Sequence, residues 1–263
     1  MNRRGAPRPE PKIAEQRHEY ILHILAVDGR IRAVDIASDL GVTHETVRKD
    51  LVALQARGLL RRVHGGALPT EALSHEPAVA DRTALTPEKR RIASAATQYV
   101  PAEGAVLLDA GSTTLALAES FPTEPRLTAF TNTLNVALAL LAHPNLTVHT
   151  LGGRVRPTTM AEVDRWALRS LKEIHVDVAF LGTNGFSLTD GLATPNDAEA
   201  AVKAAMIECA QLRVLLADHT KLGRTAIFRY AELSAIDVLV TDTSLSAKDT
   251  REITRAGVEV VRV

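Results

Sequence analysis

Short aliphatic runs recur through the later part of the 263-residue chain, and helical segments separate most of them. The runs are residues 105–110, 127–131, 146–151, 176–181, 213–217, 236–240 and 258–263. Runs that are mostly apolar are typical of strands buried on both faces. Their alternation with helices predicts an α/β domain with a mainly parallel sheet that helices cover on both sides. A helix over residues 86–99, with Pro87 in its first turn, is predicted to precede the first strand.

Polar and glycine residues follow several of these runs, at the edge where parallel sheets bind their ligands. They are Asp109, Gly111, Ser112, Thr113, Thr114, Asn132, Gly152, Gly153, Arg154, Gly182, Asp218 and Lys221. Residues 111–114 place backbone amides and three hydroxyls at the start of an apolar helix, where an anion can bind. The same residues are also compatible with an ordinary turn that a Ser or Thr side chain caps.

Glu199 and Lys203 stand four residues apart on a helix that follows Asn196 and Asp197. Sugar hydroxyls need carboxylate, amide and lysine partners, whereas a sugar phosphate needs amides and hydroxyls. With Glu199 and Lys203 included, the set of polar residues offers both kinds of partner. The alternative is a surface ion pair contributing only ~0.3–0.5 kcal/mol, and the glycines could likewise belong to ordinary turns.

Three short helices are predicted in the first part of the chain. The first covers residues 13–27, where apolar residues recur with partial helical spacing. The second ends at Gly41, a residue able to adopt positive φ. Its apolar positions are Val34, Ile36, Ala37 and Leu40. Thr43 is a good N-cap for the third helix. The buried positions of the third helix are Val47, Leu51 and Leu54.

The third helix carries basic residues away from its apolar side, as a recognition helix in a DNA major groove does. The stretch LLRRVHGGA after it predicts a strand, a turn at Gly65–Gly66 and a returning strand, which together would form a wing. The residues predicted to contact DNA are Thr43, His44, Thr46, Arg48, Lys49, Arg61, Arg62 and His64. The alternative is an ordinary solvated helix face beside a basic hairpin. The joint occurrence of three helices, a glycine turn and a basic wing favours DNA binding.

Length and charge favour two domains. We expect a disordered arm at 1–12, a winged helix-turn-helix domain at 13–68, a proline-containing linker at 69–86 and an α/β effector-sensing domain at 87–263. Residues 1–66 hold 12 Lys and Arg against 8 Asp and Glu, and residues 67–263 hold 19 against 23, so the net charges are +4 and −4. The basic excess falls on the part predicted to bind DNA.

Composition excludes several classes of protein. The single cysteine, Cys209, excludes an internal disulfide and makes a thiolate metal site improbable, so we expect no metal and no cofactor. No run reaches the ~18 apolar residues of a membrane span, and the first residues lack the apolar stretch of a secretory signal. We therefore expect a cytoplasmic protein without a membrane partner.

The stretch IASDLGVTHETVRKDLVALQARGLLRRVHGGA resembles the winged helix-turn-helix signature of the DeoR family of bacterial transcriptional regulators. The stretches LLDAGSTT, FTNT, LGGRVR, FLGTNGFS, DGLAT, EAAVKAAM and LLADHTKLGR resemble, in order, the effector domain of that family. The resemblance implies a repressor of a sugar-metabolism operon that binds operator DNA and a phosphorylated sugar. It also implies a second domain similar in fold to ribose-phosphate isomerases and CoA-transferase-like proteins, and a homo-oligomer, either a dimer or a tetramer.

By this resemblance, residues 111–114 hold the phosphate, and the residues around the sugar are Asn132, Gly152, Gly153, Gly182, Glu199, Lys203, Asp218 and Lys221. Two positions depart from the family pattern. Lys49 stands where members usually carry arginine, so a contact to DNA phosphate is expected there rather than a two-pronged contact to guanine. Asp164 stands where many members carry glycine, and its carboxylate would either alter ligand choice or lie on the surface.

An enzyme that isomerises or deaminates a phosphosugar is the alternative function. It would use Asp218 or Glu199 as base and Lys221 or Lys203 to stabilise charge. A free enzyme would not need the DNA-binding domain, and the sequence lacks the common hydrolase, zinc-protease and P-loop motifs. An architectural DNA-binding protein is a third hypothesis, but it leaves the polar residues at the strand ends without a role. We expect a regulator and not an enzyme.

Overall fold

The computed structural model describes residues 14–28, 31–57, 59–63, 65–69, 73, 76, 78–124 and 126–263. The predicted arm at 1–12, the start of the first helix at Ile13 and the DNA contact at His64 lie outside these residues. Contacts divide the chain into two compact units, Met1–His75 and Glu76–Val263. Residues 76 and 78–86 of the predicted linker fall in the second unit. No helix among the described residues is long and apolar enough to cross a membrane.

The described part of the first unit contains three α-helices and a small antiparallel sheet. Its elements are α1 (Ala14–Asp28), β1 (Ile31–Arg32), α2 (Ala33–Leu40), α3 (His44–Ala56), β2 (Leu60–Val63) and β3 (Gly66–Pro69). The sheet order is β1-β3-β2. The predicted apolar side of α3 is buried together with Ile21 and Ile24 of α1 and Ile36 of α2. The three helices and the wing hairpin are confirmed.

Two of the three residues that separate α2 from α3 act as predicted. Gly41 ends α2 with φ +64°, and its amide donates to the Ala37 carbonyl oxygen. Thr43 caps α3, since its hydroxyl oxygen accepts from the Thr46 amide at 3.2 Å. Val34, which the pattern assigned to the apolar side of α2, is 56% exposed. Val34 lies two positions before the buried Ile36, which places it about 200° away around the helix axis. The adjacent Ala33 is buried in its place.

Asp50 connects α3 to α1. Its carboxylate accepts from Arg17 Nε at 2.7 Å and Nη2 at 2.9 Å, and it lies 3.2 Å from His18 Nε2. Asp50 is only 5% exposed, and its hydrogen bond raises the pKa of Arg17. Asp50 follows two exposed basic residues, so α3 presents one charged face to solvent and a single buried carboxylate to α1.

The wing hairpin begins its return strand one residue earlier than predicted. Gly65 is in the turn with φ +78°. Gly66 is already in β3, opposite Val63. A Cβ atom at Gly66 would overlap the carbonyl oxygen of Ile31 on the neighbouring strand, so a side chain does not fit at this position.

The second unit is an α/β domain around a seven-stranded parallel sheet. Its helices are α4 (Thr86–Ala96), α5 (Ser112–Glu119), α6 (Leu134–Leu140), α7 (Asp164–Lys172), α8 (Asp197–Glu208) and α9 (Ala247–Arg255). The strands of the large sheet are β4 (Glu103–Leu108), β5 (Arg126–Thr131), β6 (Leu146–Thr150), β9 (Val176–Leu181), β12 (Ala210–Leu216), β14 (Val238–Thr241) and β15 (Glu259–Arg262). Every predicted aliphatic run supplies one of these strands, so the predicted fold class is confirmed. The order across the sheet is β15-β14-β12-β9-β4-β5-β6.

Two smaller sheets were not predicted. One is the antiparallel pair β7 (Arg154–Arg156) and β8 (Ala161–Val163), and the other contains β10 (Gly185–Ser187), β11 (Gly191–Thr194) and β13 (Phe228–Ala231). The large sheet has a hydrophobic core on each face. Leu107 of β4 faces one core, whereas its neighbours Val106 and Leu108 face the other, as expected for a strand covered on both sides.

Candidate functional site

The solvent face of α3 carries the residues predicted to contact DNA. Arg48 and Lys49 are exposed, and Arg48 Nη1 lies 3.8 Å from Glu45 Oε2, with both side chains 62% exposed. At the start of the helix, the hydroxyls of Thr43 and Thr46 lie 2.9 Å apart. The exposed ion pair between Arg48 and Glu45 is weak at 3.8 Å, so the Arg48 guanidinium is available to an external partner.

The wing places two arginines next to α3. Arg61 is exposed and Arg62 is half-buried. The Arg62 amide donates to Gln55 Oε1 of α3 at 2.8 Å, which fixes the strand against the helix. The first unit therefore presents Arg48, Lys49 and Arg61 as exposed cations on a helix and an adjoining hairpin.

The large sheet brings most predicted effector residues to one edge. The residues that directly follow or nearly follow a strand are Asp109 after β4, Asn132 after β5, Gly152 after β6, Gly182 after β9 and Asp218 after β12. Because the strands are parallel, their C-terminal ends share this edge. The strands β12, β9, β4, β5 and β6 are consecutive in the sheet, so these residues follow one another along it.

A buried ion pair connects β4 to α8. Asp109 is fully buried and pairs with Lys203. The Gly182 amide donates to Asp109 Oδ2 at 3.0 Å, and Lys203 Nζ donates to the Gly182 carbonyl oxygen at 3.0 Å. Burial raises the pKa of Asp109. Burial lowers the pKa of Lys203, but Asp109, Tyr230 and Glu199 together raise it by more.

Glu199 belongs to a second buried network, which includes two residues of the predicted linker, Glu76 and Arg82. Its Oε1 accepts from Arg156 of β7 and from the hydroxyl of Thr159. Arg156 Nη2 also donates to Glu76 Oε2 at 2.9 Å, and Arg82 Nη2 donates to Glu76 Oε1 at 3.2 Å. Burial lowers the pKa of Arg156, but Glu199 and Glu76 raise it by more. Two arginines and two glutamates thus form a charge-balanced network.

The alternative of a surface ion pair between Glu199 and Lys203 is wrong. Both residues are 3% exposed, and each pairs with a residue distant in the sequence. Arg154 is also placed differently from the prediction. It is 60% exposed and donates to Asp164 Oδ2 at 2.7 Å. The arginine that contacts Glu199 is Arg156, and because LGGRVR contains both arginines, the motif does not distinguish them.

Asp164 occupies a backbone conformation that favours glycine, with φ +74° at the start of α7. This explains why glycine suits the position. Its side chain is 43% exposed and is paired with Arg154. The carboxylate therefore lies on the surface, and Arg154 and Asp164 form a pair outside the two buried networks.

The start of α5 offers amides and two hydroxyls. Gly111 is the N-cap residue and supplies no side-chain acceptor to the first turn. Thr113 is 8% exposed and Ser112 is half-buried. Thr114 is fully buried, and its hydroxyl donates to the Gly111 carbonyl oxygen at 3.0 Å. Its hydroxyl therefore stabilises the turn, and only those of Ser112 and Thr113 can face a ligand.

Backbone geometry accounts for the glycines after β6. The Gly152 amide donates to the buried Glu162 Oε2 at 2.7 Å. A Cβ atom at Gly153 would overlap the Val163 carbonyl oxygen. Asn132 is buried next to this loop, and its Oδ1 has no hydrogen-bond partner among the described residues. The two glycines shape the loop, whereas Asn132 retains an unused acceptor.

Asp218 and Lys221 lie in one short turn after β12. Asp218 is 3% exposed and accepts from the Thr220 amide at 3.0 Å. Burial lowers the pKa of Lys221 to about 8, although Asp218 opposes the shift. Lys89, from the first turn of α4, is buried close to them and donates to the Arg82 carbonyl oxygen at 2.8 Å. Sequence reasoning missed Lys89 because it reads as an ordinary lysine near a helix start.

Comparisons with known proteins identify both units. Residues 17–72 match the DeoR-like helix-turn-helix domain, and residues 85–243 match the DeoR C-terminal sensor domain. The chain is 37% identical over 250 residues to the HTH-type transcriptional regulator GlpR of Haloferax volcanii, covering 94% of this chain and 97% of that protein. It is 32% identical to a putative aga operon transcriptional repressor of Escherichia coli O157:H7, covering 94% and 93%.

A solved structure of D-ribose-5-phosphate isomerase in complex with phospho-erythronic acid aligns with 51% of this chain and 52% of its own. The sequence identity is 15% and the TM-score is 0.37, which is too low to argue a common activity. The two domain matches, by contrast, cover both units, and the regulators align over nearly their full length. These matches favour the regulator over the phosphosugar isomerase, and the chain belongs to the DeoR family of transcriptional regulators.

Proposed function

We propose that this regulator represses a sugar-metabolism operon and that a phosphorylated sugar bound in the second unit controls its affinity for operator DNA. The observation that carries the proposal is the polar edge of the large sheet. It combines the uncapped start of α5 with the buried pair Asp109–Lys203 and the unused acceptor of Asn132. Amides and hydroxyls suit a phosphate, and buried carboxylate and amide groups suit sugar hydroxyls.

In the proposed DNA complex, α3 enters the major groove and the hairpin β2–β3 lies beside it. Arg48 contacts a base edge and Lys49 a phosphate, because both project from the side of α3 opposite its buried residues. Thr43, His44 and Thr46 lie at the start of the helix, the part that reaches base edges in such complexes. Arg61, Arg62 and His64 of the wing contact the DNA backbone or the minor groove.

The protein acts as an oligomer in this proposal. One helix-turn-helix contacts too few base pairs to select a site in a genome, so at least two copies are required. A dimer or a tetramer satisfies this requirement. Since its target is an operon, the regulator works in the cytoplasm.

Operator binding in the presence of sugar phosphates tests the proposal. An operator is first selected from random duplex DNA with the full-length protein, and its affinity is measured by fluorescence anisotropy. A panel of phosphorylated sugars and their unphosphorylated forms is then added. We expect one phosphorylated member to change operator affinity by ~5–150-fold, the usual range for allosteric coupling. Its unphosphorylated form should have little effect.

Thr113→Val tests the start of α5 without removing the structural hydrogen bond of Thr114. The variant should bind operator normally and respond less to the sugar phosphate. Thr147→Val, at an exposed position of β6, is the matched control and should respond normally. Turnover of the sugar phosphate together with operator binding that ignores it would favour the isomerase instead.

A further inference from the structure

Four cationic side chains cluster around Lys221 and the adjacent Asp218 at the C-terminal edge of the large sheet, Lys221 being one of them. They are Arg82, Lys89, Lys221 and Arg224, and the charges of the first, second and fourth all act to lower the pKa of Lys221. Burial is the main cause that lowers the pKa of Lys89, Lys221 and Arg224. The protein thus concentrates positive charge where water is scarce.

The positive charge of this cluster is only partly balanced. Arg82 pairs with Glu76, whereas Lys89, Lys221 and Arg224 form no ion pair with another described residue. Asp218 is the one carboxylate among the described residues that acts on all three. Three positive charges against one negative charge leave a surplus of two. Buried charge without a partner is unfavourable, so the cluster is complementary to an anion.

The cluster also has unused hydrogen-bond donors. Arg224 Nε is buried and has no partner among the described residues. The Lys221 ammonium likewise makes no hydrogen bond to them, and Lys89 uses one of its three donors on Arg82. Unsatisfied buried donors are rare in proteins. Both the charge and the donors therefore favour a ligand with several acceptor oxygens.

The cluster lies at the same sheet edge as the start of α5. Lys89 is in the first turn of α4, and α4 packs against α5 and contacts β12. The chain runs from the end of α4 to the start of β4, at the opposite edge of the sheet. The first turn of α4 therefore faces the same edge as the first turn of α5.

We propose that Lys89, Lys221 and Arg224 bind the phosphate of the effector as a dianion, with the first amides of α5 as its other partners. A phosphomonoester carries about −1.5 to −2 charges near pH 7, which matches a surplus of two. A ligand with a single carboxylate would instead leave one of the two surplus positive charges unbalanced. The inference rests on the proposed function for the identity of the sugar, and it assigns phosphate recognition to Lys89 and Arg224 as well as to Lys221.

Binding of inorganic phosphate and sulfate to the full-length protein tests the cluster without knowledge of the sugar. Affinities are measured by equilibrium dialysis at constant ionic strength for the wild type, Arg224→Gln, Lys221→Gln, Thr113→Val and the control Lys248→Gln, whose side chain is 76% exposed. Each cluster variant should bind both anions roughly 10–100-fold more weakly, the effect of losing a charged hydrogen bond, and the control should match the wild type. Phosphate affinity should rise from pH 5.5 to about pH 7 as the dianion forms, and sulfate affinity should not.

Each outcome has a distinct meaning. If the wild type binds neither anion, or Arg224→Gln and Lys221→Gln bind both as the wild type does, the cluster is not the phosphate site. Loss in Thr113→Val alone would assign the phosphate to α5 alone and leave the regulator proposal intact. Conversely, normal anion binding by the cluster with no effect of any sugar phosphate on operator affinity would overturn the proposed function and leave the anion site standing. Circular dichroism of each variant verifies that it is folded.

Discussion

The Lys221 ammonium is surrounded by three other cations and one carboxylate, and this environment makes its charge sensitive to pH. Burial lowers its pKa to about 8; Arg224, Arg82 and Lys89 lower it as well, and Asp218 raises it. Below pH 8 the side chain is cationic and attracts an anion. As pH rises through 8 it loses the proton, and this attraction is lost.

Sulfate affinity should therefore fall as pH rises. Sulfate keeps its charge throughout, so a roughly tenfold loss between pH 7 and pH 9 reports on the protein. Lys221→Arg keeps the positive charge at these values and should lose less. Equilibrium dialysis at constant ionic strength measures both curves, and an identical decline in the arginine variant would show that Lys221 is not the group responsible.

Arg48 and Lys49 are adjacent but should affect DNA binding differently. Arg48→Ala should weaken the free energy of operator binding by ~1–3 kcal/mol and relax the base preference at one operator position. Lys49→Ala should weaken binding to all sequences and reduce the salt slope by about 1. Anisotropy titrations with operator and mismatched DNA at several salt concentrations measure both effects. Unchanged affinity and salt slope in both variants would remove α3 as the recognition helix.

The elements most accessible to sequence reasoning are those with strong local patterns. All strands of the large sheet were predicted because each is an apolar run of sufficient length, and the cap of α3 because Thr43 acts on its own helix. The hairpin β7–β8 was not predicted because its strands are only 3 residues long. The partners of Glu199 and Lys203 were missed for a different reason. Those contacts join residues 43 and 94 positions apart, and no local pattern encodes them.

The junction of α1 and α3 provides a test at the level of elements. Asp50→Asn removes the charge that Arg17 and His18 face, so the free energy of unfolding of the first unit should fall by ~1.5–3 kcal/mol, the contribution of a hydrogen bond to a charged group. Glu45→Gln, on the exposed face of α3, should change it by less than ~0.5 kcal/mol. Urea unfolding of the full-length protein, followed by far-ultraviolet circular dichroism, measures the difference. Equal free energies of unfolding for Asp50→Asn and Glu45→Gln would show that the Arg17–Asp50 ion pair does not stabilise the first unit.

If two copies of the protein bind one operator together, the spacing of their recognition helices must match the spacing of the two DNA half-sites. Two recognition helices on one face of the duplex require half-sites separated by about one helical turn, 10–10.5 base pairs, or a multiple of it. Selected operators should therefore contain two related half-sites at that spacing. Insertion of about 5 base pairs between them should abolish high-affinity binding, and insertion of about 10 should largely restore it. Sedimentation equilibrium determines the number of copies, and a monomer with full affinity for one half-site would contradict the prediction.

Glu76, whose carboxylate holds Arg156 and Arg82, is also the first residue of the second unit. A short distance later, the Val79 amide donates to the Thr158 carbonyl oxygen at 2.8 Å. The contacts of Glu76 with Arg156 and of Val79 with Thr158 hold the start of the stretch 76–85 against the rest of the second unit, whereas the contact of Glu76 with Arg82 lies within the stretch. If they were released, that stretch would lengthen the covalent tether to the DNA-binding unit by roughly 33–36 Å when fully extended. Since the effective concentration of tethered modules depends on tether length, release of the Arg156–Glu76 ion pair and the Val79–Thr158 hydrogen bond would lower the effective concentration of the DNA-binding unit near the second unit.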